Sequence, residues 1–290
     1  MILFTLPQLK YLEKELLNPS LRKGLFKLDR FKNEELYVQI ETTVANEHCL
    51  ILGTIAPPEE NLVSVILLSH TLKKEGANKI TAIFPYLAYT RHDKEKPGED
   101  LATAAVGQIF RVSGINEIWT IDVHSDLDEI LFPIRLVSLQ TDELFANLIR
   151  DTQLQDATLV APDDGSISRC EAVRSRLKMK PVAYFHKQRD HEIVTGSLVG
   201  AVSEKVVIID DILDTGTTLI EASKKLRMIG VKEIYIMVSH GLFTGKNWTK
   251  LWELGVQKIF CTNSTLLKGD LLSKQIEQLN IGPLLWKKLN

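Results

Sequence analysis

The segment VIIDDILDTGTT (207–218) holds the residues best suited to chemistry. Its polar side chains are the carboxylates Asp210, Asp211 and Asp214 and the hydroxyls Thr215, Thr217 and Thr218. An apolar run leads into the segment and a helical pattern follows it, and the unpaired N–H groups at a helix start attract anions. Gly216 lets the backbone approach a phosphate closely, and the hydroxyls add donors. Carboxylates at the strand end accept hydrogen bonds from sugar hydroxyls or from metal-bound water, so the segment predicts a ribose-phosphate site.

Short apolar runs supply the strands that would position this segment. They are 49–53, 80–85, 117–121, 158–162, 206–210 and 233–238. They do not alternate apolar with polar residues, which indicates strands buried on both faces. Helical spacing of apolar residues fills 60–75 and 217–230, and each helix ends at a glycine, Gly76 or Gly230, suited to a left-handed cap. Strand–helix alternation predicts an α/β fold of mostly parallel sheets flanked by helices.

The alternating pattern runs twice, over 1–140 and over 141–290. No stretch rich in proline, glycine or serine separates the halves, so two similar domains that pack closely are expected. In such folds ligands bind in a crevice between domains or at the carboxyl ends of strands. The fold by itself names no activity.

Composition excludes several classes of protein. The 290 residues are 44% hydrophobic and 25% charged with a formal net charge of −2, so no general attraction to nucleic acid is expected. The three cysteines, Cys49, Cys170 and Cys261, form no CxxC pair, which argues against a disulfide framework or a zinc site. The first residues lack the features of a secretory signal, and no apolar run reaches the length of a membrane span. A cytoplasmic protein without a nucleic-acid or membrane partner is predicted.

At the 207–218 loop the sequence resembles the type I phosphoribosyltransferase superfamily. Further segments, from about Leu28 to Thr265, narrow the resemblance to the ribose-phosphate pyrophosphokinase (PRPP synthase) family. These segments are RFKNEELYVQI (30–40), the stretch 56–94, TIDVHSD (120–126), VAPDDG (160–165), HKQR (186–189) and SHGLFTG (239–245). The resemblance implies two similar α/β domains, 1–140 on the ATP side and 141–290 with the ribose-phosphate loop. It also implies transfer of the β,γ-diphosphate of Mg-ATP to the anomeric hydroxyl of ribose 5-phosphate, giving PRPP and AMP.

The resemblance assigns roles to individual residues. The ATP-binding positions would be Phe31, Asn33, Glu35, Arg91, His92, Asp93 and His124. His124 and Asp163 would contact Mg²⁺, and Lys187 and Arg189 would close over the transferring group. The ribose phosphate would be held by Asp210, Asp211, Asp214, Thr215, Gly216, Thr217 and Thr218. A homo-oligomeric enzyme of nucleotide biosynthesis, with Mg²⁺ as its cofactor, is thereby implied.

The chain departs from the family pattern at three positions near these residues. His92 stands where the family has glutamine, Ser166 where it has a second glycine, and Thr217 where it often has glycine. Ser166 and Thr217 leave open another acceptor with a free anomeric hydroxyl and a 5-phosphate, such as ADP-ribose.

Three further interpretations compete with that function. An ordinary strand–turn–helix junction capped by Asp or Thr accounts for the loop alone. A phosphoribosyltransferase that consumes PRPP accounts for 207–218 but not for the ATP-side segment 30–40. A non-catalytic regulatory subunit is expected to have lost its catalytic residues, whereas Lys187 and Arg189 are present.

Overall fold

The computed structural model describes residues 1–17, 21–91, 97–124, 130–190, 193–267, 269, 271 and 274–289, with the backbone alone for 187–190 and 193–195. The chain divides into two units. The first unit comprises Met1–Leu139 together with Gly282–Asn290, and the second comprises Gln140–Ile281. Each unit is built around its own sheet.

The first unit contains a parallel sheet and a separate hairpin. Its described strands are β1 (Ile2–Thr5), β2 (Arg22–Lys23), β3 (Phe26–Arg30), β4 (Leu36–Ile40), β5 (His48–Leu52), β6 (Lys79–Phe84), β7 (Glu117–Ile121) and β8 (Arg135–Leu139). Six of them form the sheet in the order β2-β1-β5-β6-β7-β8, with every pairing parallel. β3 and β4 form the antiparallel hairpin. Because the carboxyl ends of parallel strands share one edge, the loops after β6 and β7 begin at the same edge.

Helices α1 (Lys10–Leu16), α2 (Glu60–Lys74) and α3 (Ala102–Ser113) complete this part of the unit. The apolar stripe predicted over 60–75 is present, because α2 buries Val65, Leu68 and Leu72. The chain leaves α2 at Gly76, whose φ of +88° lies in the left-handed region that glycine adopts without a steric penalty.

The second unit contains a seven-stranded sheet. Its strands are β9 (Thr158–Ala161), β10 (Ala183–Asp190), β11 (Ile193–Val199), β12 (Lys205–Leu213), β13 (Glu233–Gly241), β14 (Val256–Thr262) and β15 (Ile276–Leu279). Their order is β11-β10-β9-β12-β13-β14-β15, and every described pairing is parallel except that of β10 with β11. The central position of β12 explains why its segment Val206–Ile209 is apolar and buried on both faces.

Helices α4 (Asp142–Asp151), α5 (Ile167–Ser175), α6 (Thr217–Met228) and α7 (Lys250–Glu253) belong to this unit. Two apolar clusters form its core. Val206 and Ile208 pack in one cluster with residues of α6 and α7, whereas Val207 and Ile209 pack in the other with residues of α4 and α5. Since consecutive strand residues point to opposite faces, β12 is buried on both. Each fully buried aliphatic side chain stabilises the fold by about 1.5–3 kcal/mol.

The last helix, α8 (Gly282–Leu289), belongs to the first unit. It lies against α1, and the Lys288 ammonium lies 5.6 Å from the centroid of the Trp119 ring. The expected halves, 1–140 and 141–290, follow the chain, and a boundary drawn along the chain cannot show that its end returns to the beginning. Contacts within the fold group Gly282–Asn290 with Met1–Leu139.

The predicted α/β class, with mostly parallel sheets flanked by helices, is confirmed. One strand boundary differs from the expectation. β12 continues past Asp210, because Ile212 and Leu213 pair with His240 and Gly241 of β13. The helix predicted over 217–230 is present as α6, which begins at Thr217. No helix in the described part of the chain combines the length and apolar character that crossing a bilayer requires.

The three cysteines are buried and free. Burial raises the pKa of the Cys49 thiol to about 11 and that of Cys261 to about 12. Because the thiolate is the reactive form, these cysteines are core residues rather than nucleophiles.

Candidate active site

The loop between β12 and α6 turns at Gly216. This residue has a φ of +83° and directly precedes α6. A Cβ added there would lie 2.9 Å from the Cα and Cβ atoms of Trp248. Both the backbone conformation and the available space therefore require glycine. The turn leaves the first N–H groups of α6 at the end of the helix, which is the arrangement that binds anions.

Two hydroxyl side chains meet beside this helix start. Thr215 and Thr217 are exposed, and their Oγ1 atoms lie 3.2 Å apart. The segment that follows β13 holds the loop backbone, because Asn247 Nδ2 donates to the Thr215 carbonyl at 3.2 Å and the Thr244 N–H donates to the Asp214 carbonyl at 3.2 Å. Two of the hydroxyls predicted to bind phosphate, those of Thr215 and Thr217, thus lie together on a turn that hydrogen bonds hold in place.

Asp210 and Asp211 are buried within β12 rather than at its end, with 7% and 8% of their surfaces exposed. Asp210 Oδ1 accepts hydrogen bonds from Ser166 Oγ at 2.6 Å and from the Asp211 N–H at 3.0 Å. Burial, reinforced by the charge of Asp211, raises the pKa of Asp210 to about 8. Adjacent buried carboxylates disfavour each other's ionisation, so this pair favours a proton, a cation or hydroxyl donors from a ligand.

Ser166 joins the loop that carries Asp163 to the Asp210 carboxyl. It ends the 3-10 turn Asp164–Ser166 and is 2% exposed. Its Oγ lies 2.6 Å from Asp210 Oδ1 and 3.5 Å from Asp163 Oδ1. A hydroxyl has one hydrogen, so the shorter contact is the one to which it donates. In the sequence Ser166 stands out only as a departure from the family pattern, and its role arises from a contact across 44 positions.

The carboxylates of this unit offer oxygen ligands of the kind that Mg²⁺ prefers. Among the described residues, however, no group of three or more His, Cys, Asp or Glu side chains is arranged to hold a metal. Mg²⁺ usually binds through one or two carboxylates and completes its shell with water and substrate phosphates. The carboxylates present therefore fit a Mg²⁺ that arrives with a phosphate ligand.

Lys187 and Arg189 lie on β10 in an antiparallel hairpin with β11. In the ladder Lys187 pairs with Gly196 and Arg189 pairs with Val194. His186 directly precedes them, and its Nδ1 lies 2.8 Å from Asp164 Oδ1. Residues 186–189 are extended, and the hairpin is joined at its base to the loop of Asp163.

In the first unit, Arg91 is exposed in the loop that follows β6. The preceding turn contains Tyr89 with a φ of +68°. Thr103 Oγ1, at the start of α3, donates to the Tyr89 carbonyl at 3.0 Å and holds this turn. The neighbouring predicted residues His92 and Asp93 lie outside the described part of the chain.

His124 is exposed in the loop that follows β7. Strand β8 holds this loop, because the Asp122 N–H donates to the Leu139 carbonyl at 3.1 Å and the Val123 N–H donates to Ser138 Oγ at 3.1 Å. Both loops of the first unit that carry predicted nucleotide contacts thus start at the carboxyl edge of its sheet.

The tip of the β3–β4 hairpin carries the other predicted ATP contacts. The Phe31 side chain is 56% exposed, and its ring centroid lies 4.7 Å from that of Tyr37. Asn33 Oδ1 accepts the Glu35 N–H at 3.4 Å, and Glu34 between them has a φ of +69°. An exposed aromatic ring on a tight turn can stack on a nucleobase.

Comparison with known proteins covers both units. Residues 1–114 match the N-terminal domain of ribose phosphate pyrophosphokinase, and residues 129–263 match the phosphoribosyl transferase domain. The ribose-phosphate pyrophosphokinase of Listeria ivanovii is 30% identical over 268 residues, which are 90% of this chain and 84% of that protein. The ribose-phosphate pyrophosphokinase of Mycoplasma pneumoniae is 32% identical over 253 residues, 83% of this chain and 76% of that protein.

A solved structure extends the similarity to the fold. Phosphoribosylpyrophosphate synthetase from Mycobacterium smegmatis matches with a TM-score of 0.88 and 25% identity, over 99% of this chain and 97% of its own. The resemblance named from the sequence is therefore confirmed. The chain belongs to the ribose-phosphate pyrophosphokinase family of enzymes.

Proposed function

We propose that this enzyme transfers the β,γ-diphosphate of ATP to the anomeric hydroxyl of ribose 5-phosphate, giving PRPP and AMP. The observation that carries the proposal is the acceptor site, Asp210–Thr218. Buried carboxylates lie at one end of it, and a helix start with paired threonine hydroxyls lies at the other. A molecule with ring hydroxyls at one end and a phosphate at the other satisfies both ends.

The acceptor site would hold ribose 5-phosphate by both of its polar ends. The N–H groups at the start of α6 and the hydroxyls of Thr215 and Thr217 bind the phosphate, with Thr218 and Asp214 in the same loop. Asp210 and Asp211 accept hydrogen bonds from the ring hydroxyls. Fixing the sugar at two points holds its anomeric oxygen ready for in-line attack, which removes much of the entropic part of the barrier.

Diphosphoryl transfer requires compensation of negative charge more than covalent participation by the protein. Lys187 and Arg189 would provide positive charge over the transferring group, with arginine able to bind phosphate oxygens in a bidentate manner. Asp163 would contact Mg²⁺, which when bound to the phosphates neutralises part of their charge. Ser166 Oγ links the Asp163 and Asp210 carboxyls, at 3.5 Å and 2.6 Å.

The first unit would bind ATP. The exposed Phe31 ring would stack on the adenine, with Asn33 and Glu35 on the same turn as hydrogen-bonding partners. Arg91 would contact the phosphates, and His124 would contact ATP and the Mg²⁺ bound to it. His92 and Asp93 are proposed ATP contacts from the sequence resemblance alone.

A product assay tests the reaction and separates it from its alternatives. Purified protein with Mg²⁺, ATP and ribose 5-phosphate should release AMP and PRPP in equal amounts, measured by mass spectrometry. ADP-ribose in place of ribose 5-phosphate tests the other acceptor, and PRPP with nucleobases tests the phosphoribosyltransferase. AMP release with ADP-ribose but not with ribose 5-phosphate would overturn the proposal.

Lys187→Ala tests the catalytic assignment. Loss of a charge that stabilises the transition state should lower kcat about a hundredfold or more. Lys178→Ala is the matched control, because Lys178 is an exposed lysine of the same unit. Unchanged turnover in Lys187→Ala would remove Lys187 from the mechanism.

We also propose Mg²⁺ as the metal, a homo-oligomeric assembly and a cytoplasmic location. Family membership and the carboxylates of the acceptor site support the first of these, and the resemblance and composition support the other two. Analytical ultracentrifugation of the purified protein tests the assembly.

A further inference from the structure

A side chain of α6 reaches the hairpin that carries Lys187 and Arg189. Lys225 Nζ donates to the Gly196 carbonyl at 2.9 Å. Gly196 is the residue that pairs with Lys187 in the β10–β11 ladder. The contact therefore holds the backbone opposite Lys187, although Lys225 is distant from that residue in sequence.

The surroundings of Lys225 strengthen this hydrogen bond. Lys225 is half-buried, and its ammonium lies 5.6 Å from the centroid of the Phe185 ring, which is 3% exposed. A Cβ at Gly196 would lie 2.9 Å from Lys225 Nζ, so glycine gives the ammonium access to the carbonyl. A charged donor shielded from water makes a stronger hydrogen bond than an exposed one.

The other polar contact at the hairpin base, between His186 and Asp164, is weaker because it is exposed to solvent. His186 and Asp164 also form a pair, but their side chains are 48% and 45% exposed. Ion pairs with that exposure are screened by solvent and contribute little. Of these two polar contacts to the hairpin, the one from Lys225 to the Gly196 carbonyl is therefore the stronger.

Lys225 lies on the helix whose first turn forms the phosphate end of the acceptor site. Thr218 of that turn and Lys225 line the same small pocket, together with Phe185 and Gly196. Because α6 is one continuous helix from Thr217 to Met228, Thr218 in its first turn and Lys225 further along it move together. We propose that Lys225 is a positioning residue that holds the catalytic hairpin in place relative to the bound acceptor. The catalytic part of this inference rests on the proposed function, whereas the anchoring contact does not.

Lys225→Met tests the anchor, because methionine keeps an unbranched stem but removes the ammonium. Hydrogen exchange of the hairpin amides, measured without substrates, should accelerate about tenfold. In turnover, kcat should fall about tenfold while the KM values for ATP and ribose 5-phosphate stay within about twofold. Lys224→Met is the matched control, since Lys224 is the exposed neighbour on the same helix. Lys225→Arg retains a charged donor and should restore most of the loss.

The possible results separate this inference from the proposed function. Unchanged hairpin exchange in Lys225→Met, or equal acceleration in Lys224→Met, would overturn the anchor. Faster exchange with an unchanged kcat would overturn its role in catalysis. If the unmodified enzyme releases no AMP from ATP and ribose 5-phosphate, the proposed function fails, and the exchange comparison alone decides whether Lys225 anchors the hairpin.

Discussion

The proposed acceptor site of the second unit and the proposed nucleotide-binding residues of the first unit are built differently. Asp210 and Asp211 are 7% and 8% exposed, and the turn of their loop fits against Trp248. Phe31 is 56% exposed at the tip of a two-stranded hairpin, and His124 is also exposed. The proposed acceptor site thus consists largely of residues that are packed into the core of the second unit. The proposed nucleotide-binding residues instead lie in exposed loops and at a hairpin tip.

This contrast has a consequence for substitutions. A buried, internally bonded site shares its contacts with the core, so changes there alter stability and activity together. An exposed ring or loop residue contributes little to stability, so changes there alter substrate affinity alone. The predictions below examine whether the two regions separate in this way.

Gly216→Ala should have the largest effect. The added Cβ would meet the Trp248 backbone at 2.9 Å while φ stays at +83°, so we expect a loss of about 2–4 kcal/mol in the free energy of unfolding. Displacement of the loop should lower kcat/KM for ribose 5-phosphate about a hundredfold. Gly230→Ala is the control, because Gly230 has a φ of +93° but nothing within 4 Å of the added Cβ. The free energy of unfolding is measured by urea titration. An equal loss in both variants would show that the Trp248 contact has no part in the effect.

The pH dependence of stability should reveal the buried carboxyl pair. Burial raises the pKa of Asp210 to about 8 from an ordinary 3.8, so the folded protein keeps a proton that the unfolded chain releases. The stability contributed by Asp210 is complete below about pH 4 and is lost as the pH rises towards 8. The free energy of unfolding, compared with Asp210→Asn, should fall across this range by an amount on the order of a few kcal/mol. Denaturant titrations without Mg²⁺ or phosphates measure this difference, and a constant difference would contradict a protonated Asp210.

Ser166→Ala should weaken acceptor binding selectively. Removing the hydroxyl frees the Asp210 carboxyl to rotate, which should raise the KM for ribose 5-phosphate about tenfold. The KM for ATP should stay unchanged. Ser166→Gly, which restores the family residue, should behave like the alanine variant. Ser175→Ala is the control, because its exposed hydroxyl donates to the Ala172 carbonyl of its own helix. A parallel rise in both KM values would argue against a role confined to the acceptor.

Of these substitutions, Phe31→Ala should have the smallest effect on activity and no effect on stability. Loss of stacking should raise the KM for ATP about fivefold, while the melting temperature stays the same because the ring is exposed. Leu25→Ala removes another exposed apolar side chain of the first unit, 53% exposed, without touching the hairpin tip. A clear fall in the melting temperature of Phe31→Ala would contradict the prediction that substitutions in this region leave stability unchanged.

Much of the fold could be predicted because its signals are local. The apolar runs at 117–121 and 158–162 became β7 and β9, and the stripe over 60–75 became α2. The limits of β12 were less predictable, because they depend on pairing with His240 and Gly241 of β13. The position of α8 depends on a contact with α1 near the other end of the chain, and no local pattern describes it.

The sequence by itself determined the family of the chain and indicated the chemistry proposed for the 207–218 loop. An apolar run, an aspartate pair and a glycine before threonines are neighbours in sequence, and their backbone preferences act over a few residues. Only the tertiary structure decided which distant groups support that loop. Ser166 reaches Asp210 across 44 positions, and Lys225 reaches Gly196 across 29. Such contacts depend on how the strands and helices pack, and this packing places Trp248 where Gly216 can have no side chain.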